Sequence, residues 1–459
     1  MAAAGPEPDL AAARRPAFAS AAVLTYSTYV LASLLSLGNV LVVARALGPA
    51  GRGGVVFLTT VAVLSSQLAS FGVQQANVNI AGREPAARRA LATNSLLFAA
   101  FFGVTAGAFV YGLTTLFPST AVATGSTARW LAIASIPLLI LLMYLQYLAQ
   151  ADYAFGLTNV TWLLPPLTTV TVNGGLYAAG HLSVVGAFAA WVGGQALATV
   201  LIVGYLTRQL AGFGRPDRQL ARRMFGFGLK THAGDVMMWG NYRLDQWLVG
   251  AISGSRELGL YSVAVAWTEG LFFVPSALRV VQRPDLVRTG PRDAAERAAT
   301  AFRAGLVLTA PLVLGFVVAA PLLTVTVFGD KFRGSIGDLR VLAFGGFGIV
   351  GMKLLGNALT GQGKPLLEAA ASGVAFLFTL GLDIALIPSH GGLGAAIAST
   401  VSYTAGGLVV AVLFVRALRA RPSELIPRLG DVPWLWHKLR SVFSSGTQPE
   451  AGHGAATPP

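Results

Sequence analysis

The chain of 459 residues contains no cysteine, and charged residues make up only 11% of it. Without cysteine it forms no disulfide, so the redox state of its compartment leaves no trace in the sequence. Soluble domains carry about a quarter charged residues, so the composition argues against a water-soluble enzyme. Apolar residues make up 54%, which also argues against a disordered chain, since disordered chains are poor in apolar side chains.

The motifs of enzyme and metal chemistry are missing as well. Gly361-Gln-Gly-Lys364 is followed by Pro365 and lacks the spacing of a phosphate-binding Walker motif. The five histidines are scattered, and no DxD, HExxH or GxSxG motif occurs. The stretches between apolar segments are too short for a soluble catalytic domain. We therefore expect no enzymatic activity, no cofactor and no metal site.

Long apolar segments dominate what is present. A membrane-spanning helix needs about 20 apolar residues, and the mean hydropathy of the chain is +0.65. Hydropathy predicts twelve spans, at residues 19–44, 54–81, 91–117, 129–149, 157–180, 184–207, 226–251, 258–281, 304–328, 339–361, 366–388 and 392–415. The sequence thus predicts an all-α polytopic membrane protein with about 12 transmembrane helices.

The basic residues follow the topology of these spans. The net charge is +14, and with the N-terminus inside, 24 of the 33 basic residues fall on the inner side, seven on the outer side and two within spans. The positive-inside rule then places both termini in the cytoplasm. The charge reflects membrane orientation, so we predict no nucleic-acid partner. Residues 1–18 are predicted to be a disordered cytosolic leader, and residues 419–459 a cytosolic tail with an interfacial segment at 434–441.

Two stretches recur at a spacing near 205 residues and divide the chain into halves. Arg45-Ala-Leu-Gly-Pro-Ala-Gly-Arg-Gly-Gly54 matches Gly250-Ala-Ile-Ser-Gly-Ser-Arg-Glu-Leu-Gly259, and Gly186-Ala-Phe-Ala-Ala190 matches Gly394-Ala-Ala-Ile-Ala398. Six spans per half is an even number, so both halves cross the membrane in the same direction. We predict two six-helix lobes, residues 19–220 and 221–418, around a central cavity.

Ionisable residues within spans are confined to the second half. Each costs about 2.5–3.5 kcal/mol on insertion scales, so such residues usually face a cavity or a partner. They are Asp235, Arg243, Asp245, Glu269, Lys353 and Asp383. In the seventh span, His232, Trp239 and Arg243 share one helix face and Asp245 lies on the other. That face suits an anionic headgroup or a sugar ring, unless Arg243 simply extends toward the membrane surface.

The remaining ionisable residues are predicted to have different roles, depending on how deep they lie in the membrane. Glu269 is the deepest acid and needs a proton or a partner, either Lys353 or Arg243. Glu269 and Asp235 are the candidates for charge coupling, whereas Asp245 and Asp383 are expected to be structural. Lys353 lies in a glycine-rich span and is a candidate for the cavity lining, although helix packing alone would explain the glycines.

A stripe of uncharged polar residues marks the second span. Gln67, Ser70, Gln74 and Asn77 recur at helical spacing on one face. Amides and hydroxyls are good partners for sugar hydroxyls, so this stripe is a candidate lining for a glycan. The alternative is an interhelical hydrogen-bond seam.

Three motifs resemble those of Wzx-type polysaccharide flippases, in the multidrug/oligosaccharidyl-lipid/polysaccharide exporter superfamily. They are Ala46-Leu-Gly-Pro-Ala-Gly-Arg-Gly53, Arg243-Leu-Asp245 with Gly259-Leu-Tyr-Ser-Val-Ala264, and Leu382-Asp-Ile-Ala-Leu-Ile-Pro388 with Gly392-Leu-Gly-Ala-Ala-Ile-Ala-Ser-Thr-Val-Ser-Tyr403. The resemblance covers about residues 20–416. It implies alternating access between two lobes and outward movement of undecaprenyl-diphosphate-linked oligosaccharides across the bacterial plasma membrane. The implied partners are the lipid-linked glycan, membrane lipids, and a polysaccharide polymerase or ligase.

Three other functions compete with this one. A lipid II flippase of the MurJ type would share the scaffold, but those usually carry more cationic residues in the N-terminal lobe, whose spans here have none. A cation-coupled small-molecule exporter would typically need an acidic site in that same lobe. A non-transporting assembly partner of polysaccharide enzymes would lose complex formation, and not translocation, in a reconstituted assay.

Overall fold

The computed structural model describes residues 18–116 and 125–428, and within them the chain is almost entirely helical, with no strand. The interfacial segment predicted at 434–441 and all but the last residue of the predicted leader lie outside the described residues. The helices are α1 (Phe18–Leu68), α2 (Val73–Arg83), α3 (Arg88–Leu116), α4 (Gly125–Gln150), α5 (Phe155–Ala178), α6 (Val184–Gln209), α7 (Arg218–Ile252), α8 (Gly254–Thr268), α9 (Phe273–Arg288), α10 (Pro291–Pro321), α11 (Ser335–Gly361) and α12 (Pro365–Leu418).

The first and last helices each turn back on themselves at a glycine. α1 has 51 residues, which would extend about 77 Å as one straight helix and so exceed the bilayer core more than twofold. Its backbone breaks at Gly48, with φ 66° and ψ −174°, directly before Pro49. α12 breaks in the same way at Gly391, with φ 55° and ψ −131°. Glycine tolerates this backbone region because it has no Cβ.

The helices account for the twelve predicted spans. Eight described helical stretches are long and apolar enough to cross a bilayer, and two of them contain the breaks at Gly48 and Gly391. Dividing those two and adding α5 and α7 brings the described helices to twelve segments. We call the end of the bundle with Gly48 and Gly391 the outer end, and the end with residues 210–217 the inner end.

Close backbone packing holds the helices of each lobe together. A Cβ added at Gly348 of α11 would lie 2.3 Å from the carbonyl carbon of Tyr403 in α12, and Gly407 of α12 approaches Gly348 in turn. Gly103 of α3 contacts Pro137 of α4 equally closely. Membrane helices associate through such small residues because lipid provides no hydrophobic drive between them. The glycines around Lys353 are thus explained by packing.

The two lobes meet backbone to backbone at two levels. At the outer end, a Cβ on Gly53 would lie 1.6 Å from the Ser255 carbonyl oxygen, and one on Gly259 would lie 1.9 Å from that of Pro49. Nearer the inner end, a Cβ on Gly72 would lie 2.2 Å from the Gly228 oxygen. We call the first contact the outer seam and the second the inner seam. Both depend on glycine, since any side chain would force the lobes apart.

The stretch that joins α6 to α7 is fastened to the start of α3. Arg89 donates from Nε to the Gly212 carbonyl at 3.2 Å, and Thr93 donates to that of Gly214 at 2.7 Å. Asp217 then caps α7 by accepting a hydrogen bond from the Leu220 amide at 2.9 Å. The lobe boundary near residue 220 remains a prediction.

Candidate functional site

Three charged side chains meet where the lobes face each other. Arg243 of α7 lies 3.3 Å from Glu269, measured from Nη1 to Oε1, and the two side chains are 31% and 46% exposed. Glu269 opens a single 3₁₀ turn, Glu269–Phe272, between α8 and α9. Arg52 lies within electrostatic range of both Arg243 and Glu269, and its Nε is buried without a hydrogen-bond partner. We call Arg52, Arg243 and Glu269 the interlobe cluster.

Arg52 was not among the residues expected from the sequence, which placed it in an outer turn. The break at Gly48 ends the turn early, so the next helical stretch of α1 already includes Arg52. Its neighbour Gly53 lies in the outer seam, which brings Arg52 to the boundary between the lobes. The repeated glycine motif was the signal that could have found it.

Aromatic side chains surround the interlobe cluster. Tyr29 of α1 is 49% exposed and is acted on by both Glu269 and Arg243. Its ring meets that of Phe273 edge to face, with centroids 5.6 Å apart. Tyr26 donates to the Phe273 carbonyl at 3.1 Å. These contacts place the N-terminal part of α1 against the turn that carries Glu269.

Two further cations lie closer to the inner end. Lys353 donates from Nζ to Ser276 Oγ at 2.8 Å and lies 5.6 Å from the centre of the Phe272 ring. Arg279 is the second cation, and it lies within electrostatic range of Lys353. Of the two partners that the sequence offered for Glu269, the structure therefore selects Arg243.

His232, Asp235 and Trp239 lie on the same helix as Arg243 but have different surroundings. His232 packs on Phe71, with ring centroids 5.3 Å apart, and its buried Nδ1 has no partner. Asp235 accepts a hydrogen bond from Gln74 Nε2 at 3.0 Å. Both thus belong to the region of the inner seam, while Trp239 is partly exposed between the two groups.

The amide stripe does not lie on one continuous helix. α1 ends at Leu68 and α2 begins at Val73, with Phe71 and Gly72 both at positive φ in between. Ser70 and Asn77 are completely buried. Asn77 donates to Ser95 Oγ at 2.8 Å and to the Tyr144 carbonyl at 3.0 Å, and Ser70 donates to the carbonyl of Gln67. These contacts match the alternative of an interhelical seam, and only Gln67 keeps appreciable exposure.

A pair of acids is buried inside the C-terminal lobe. Asp245 is 3% exposed and accepts hydrogen bonds from Tyr261 Oη at 2.5 Å, Ser399 Oγ at 3.3 Å and the Gln246 amide at 2.6 Å. Asp383 of α12 is completely buried, and neither of its carboxylate oxygens has a hydrogen-bond partner. Asp383 lies within electrostatic range of Asp245. A buried, unpartnered carboxylate near a second acid is unfavourable when both are ionised, so this acid pair favours a bound proton or small cation.

The fold of the chain is similar to that of solved membrane transporters. The lipid II flippase MurJ in its inward closed conformation aligns with a TM-score of 0.70 and 11% identity over 93% of this chain and 94% of that one. A multidrug resistance MATE family transporter of the MOP superfamily aligns in its inward-facing conformation with a TM-score of 0.66 and 15% identity, over 87% and 98%. An outward-facing structure of such a transporter aligns with a TM-score of 0.58 and 14% identity, over 86% and 94%.

The sequence itself identifies the family. The model of the polysaccharide biosynthesis protein family matches residues 42–337, well over half of the chain. The chain belongs to this family, and the predicted resemblance to Wzx-type flippases is confirmed at that level. No curated protein matches it by sequence.

Proposed function

We propose that the protein moves an anionic, lipid-linked oligosaccharide across the membrane by alternating access, as a flippase of the Wzx type. The observation that carries this proposal is the interlobe cluster, where Arg243 pairs with Glu269 at 3.3 Å and Arg52 of the other lobe lies within electrostatic range of both. Guanidinium groups bind phosphate oxygens through short charge-assisted hydrogen bonds. Arg279 and Lys353 continue the positive lining toward the inner end.

The physical task fits such a lining. Transfer of an unpaired hydroxyl into hydrocarbon costs of order 2–7 kcal/mol, so a sugar chain does not cross a bilayer unaided at a useful rate. Water and polar groups between the lobes would supply hydrogen bonds to the sugar hydroxyls, while the lipid tail stays in the bilayer. The undecaprenyl-diphosphate carrier, the bacterial plasma membrane and the cytoplasmic position of both termini belong to this proposal. So does delivery to a polysaccharide polymerase or ligase.

The acid pair Asp245–Asp383 is the proposed site of the coupling ion, a proton or a monovalent cation. Both oxygens of Asp383 lack a hydrogen-bond partner, and carboxylate oxygens suit a proton or a hard cation. This replaces Glu269 and Asp235 in the coupling role. Glu269 already has an arginine partner, and Asp235 accepts a hydrogen bond from Gln74.

The test is Arg243→Ala in cells that depend on the protein for glycan export. We expect export to fall and lipid-linked intermediates to accumulate while protein levels stay unchanged. Arg333→Ala is the matched control, because Arg333 is 74% exposed at the outer end. Normal export by Arg243→Ala would refute the proposal.

The competing functions give different results in reconstituted vesicles. A lipid II flippase of the MurJ type would move lipid II in preference to other carriers, and a small-molecule exporter would move neither lipid. An assembly partner would leave translocation unchanged on Arg243→Ala but would lose its complex with the polysaccharide enzymes.

A further inference from the structure

We propose that Glu269 is an internal counter-anion: it neutralises Arg243 and Arg52 when the protein is empty, and the phosphate of the substrate takes its place. This inference rests on the proposed function and adds a residue that sets the affinity of the same site. In this inference Glu269 competes with the anion for the arginines and takes no part in ion coupling.

The geometry of the Arg243–Glu269 pair suits exchange. Its single contact of 3.3 Å joins two part-exposed side chains. Elsewhere in the chain, Arg292 holds Glu424 through both ends of its guanidinium, at 2.6 and 3.5 Å, and Glu424 is only 15% exposed. Paired contacts of that kind are strong and geometrically fixed, whereas a single hydrated contact is weak. The pair at Glu269 is therefore built to open.

Arg52 provides capacity for a second anion. Its buried Nε has no partner, although the Glu269 carboxylate acts on it electrostatically. A buried donor without an acceptor is unfavourable, so it favours any ligand that supplies one. A diphosphate brings more acceptor oxygens than one carboxylate, so it can supply Arg243 and offer an acceptor to Arg52 within the same electrostatic neighbourhood.

The backbone at Glu269 permits the side chain to leave. The turn Glu269–Phe272 is a short 3₁₀ segment between α8 and α9, a type of irregularity that often marks a hinge. A Cβ added at the neighbouring Gly270 would meet no atom within 4 Å. Space beside Gly270 is thus open, and the Glu269 side chain is itself 46% exposed, so both features favour movement of the carboxylate.

Binding of inorganic pyrophosphate to the purified full-length protein in nanodiscs tests the inference. Removing the competing carboxylate by Glu269→Gln should tighten binding about two- to fivefold, the range of a part-exposed ion pair. Glu296→Gln removes an exposed carboxylate on α10 and should leave the affinity unchanged. Adding Arg243→Gln to Glu269→Gln should abolish the gain.

Two results are decisive. Glu269→Gln binding pyrophosphate no more tightly than the wild type overturns the counter-anion, whatever the wild type does with a lipid carrier. Tighter binding of pyrophosphate by Glu269→Gln, with no variant binding undecaprenyl diphosphate, retains the counter-anion and refutes the proposed substrate. If Glu269→Gln does not fold, Glu269→Ala replaces it under the same criteria, with Glu269→Asp expected to stay within twofold of the wild type.

Discussion

Arg243 and Asp245 are two residues apart on α7 and have opposite environments. At about 100° per residue they point to opposite faces of the helix. Arg243 is 31% exposed and pairs with Glu269 across a part-exposed contact. Asp245 is 3% exposed and is held by Tyr261, Ser399 and the backbone. One helix thus separates the face that we propose for anion binding from the face that we propose for a proton or a cation.

The difference shows which charges are costly and which are not. Charges next to water keep most of their hydration, so the interlobe cluster stores little free energy and can exchange partners. The acid pair is removed from water, where an unpaired carboxylate is strongly unfavourable. A fold retains such a pair only if something occupies it during part of the working cycle, and this is why we assign the driving ion to Asp245–Asp383.

The largest expected effect comes from the buried face. Asp383→Asn should reduce gradient-driven transport about 10–100-fold, the usual range of a coupling free energy between two sites. The melting temperature should stay unchanged or rise, because an amide carries no charge into the core. Proteoliposomes under separate proton and sodium gradients would measure the loss, alongside exchange without a gradient.

Asp330→Asn is the control for this comparison, since Asp330 is 84% exposed at the outer end and should behave as the wild type. If Asp383→Asn retains full gradient-driven transport, the acid pair is structural, as the sequence alone suggested. If Asp383→Asn loses gradient-driven transport but keeps exchange without a gradient, the ion-coupling role of the acid pair is distinct from substrate binding at the Arg243 face of α7.

A smaller effect is expected where the lobes close. Gly259→Ala places a methyl group within 1.9 Å of the Pro49 carbonyl oxygen, so the outer seam cannot close without displacement. Overpacking costs about 1–3 kcal/mol, which predicts roughly tenfold faster labelling of a residue between the lobes from the outer side. Because the chain has no cysteine, a single Tyr29→Cys reporter with an impermeant maleimide measures this directly.

The matched control is Gly82→Ala, where an added Cβ meets no atom within 4 Å. Equal labelling rates in Gly259→Ala and Gly82→Ala would mean that the outer seam does not restrict access to the interlobe cluster. In that case the two faces of α7 would work without an outer gate.

Much of the fold was predictable because its signals are local. Apolar runs near 20 residues depend only on sequence, and they located all twelve segments. The orientation that the positive-inside bias predicts stays a prediction. Two features escaped prediction. The second predicted span is broken at Phe71 and Gly72, between α1 and α2, which interrupts the amide stripe. The helix after Gly48 begins early enough to include Arg52. Both depend on contacts between lobes, which no helical periodicity encodes.

The site was only half predictable for a similar reason. A charge in an apolar span is visible in the sequence, so Arg243, Glu269 and Lys353 were found. Their partners were not fixed, because pairing depends on which helices pack together. Asp383 was expected to be structural from its position near the end of a span. That role stays a prediction, but the structure leaves both Asp383 oxygens unpartnered and within electrostatic range of Asp245, 138 residues earlier in the chain.

The smallest effect should come from an ion pair whose two side chains are about half exposed, at 50% and 46%. Arg223 of α7 bonds Glu84, in the turn after α2, with Nη1 3.0 Å from Oε2, and this bond lowers the pKa of Glu84 below its ordinary value of 4.5. A lowered pKa means that the bond stabilises the fold at neutral pH and is lost as the pH falls through the lowered value. Exposed pairs contribute little, so Glu84→Gln should lower the melting temperature by at most about 2 °C at pH 7. The difference from the wild type should vanish in acid, where Glu84 is protonated and as uncharged as the glutamine that replaces it. A drop above about 5 °C at pH 7 would contradict the rule drawn from α7, that burial and not charge alone decides what an ionisable group contributes.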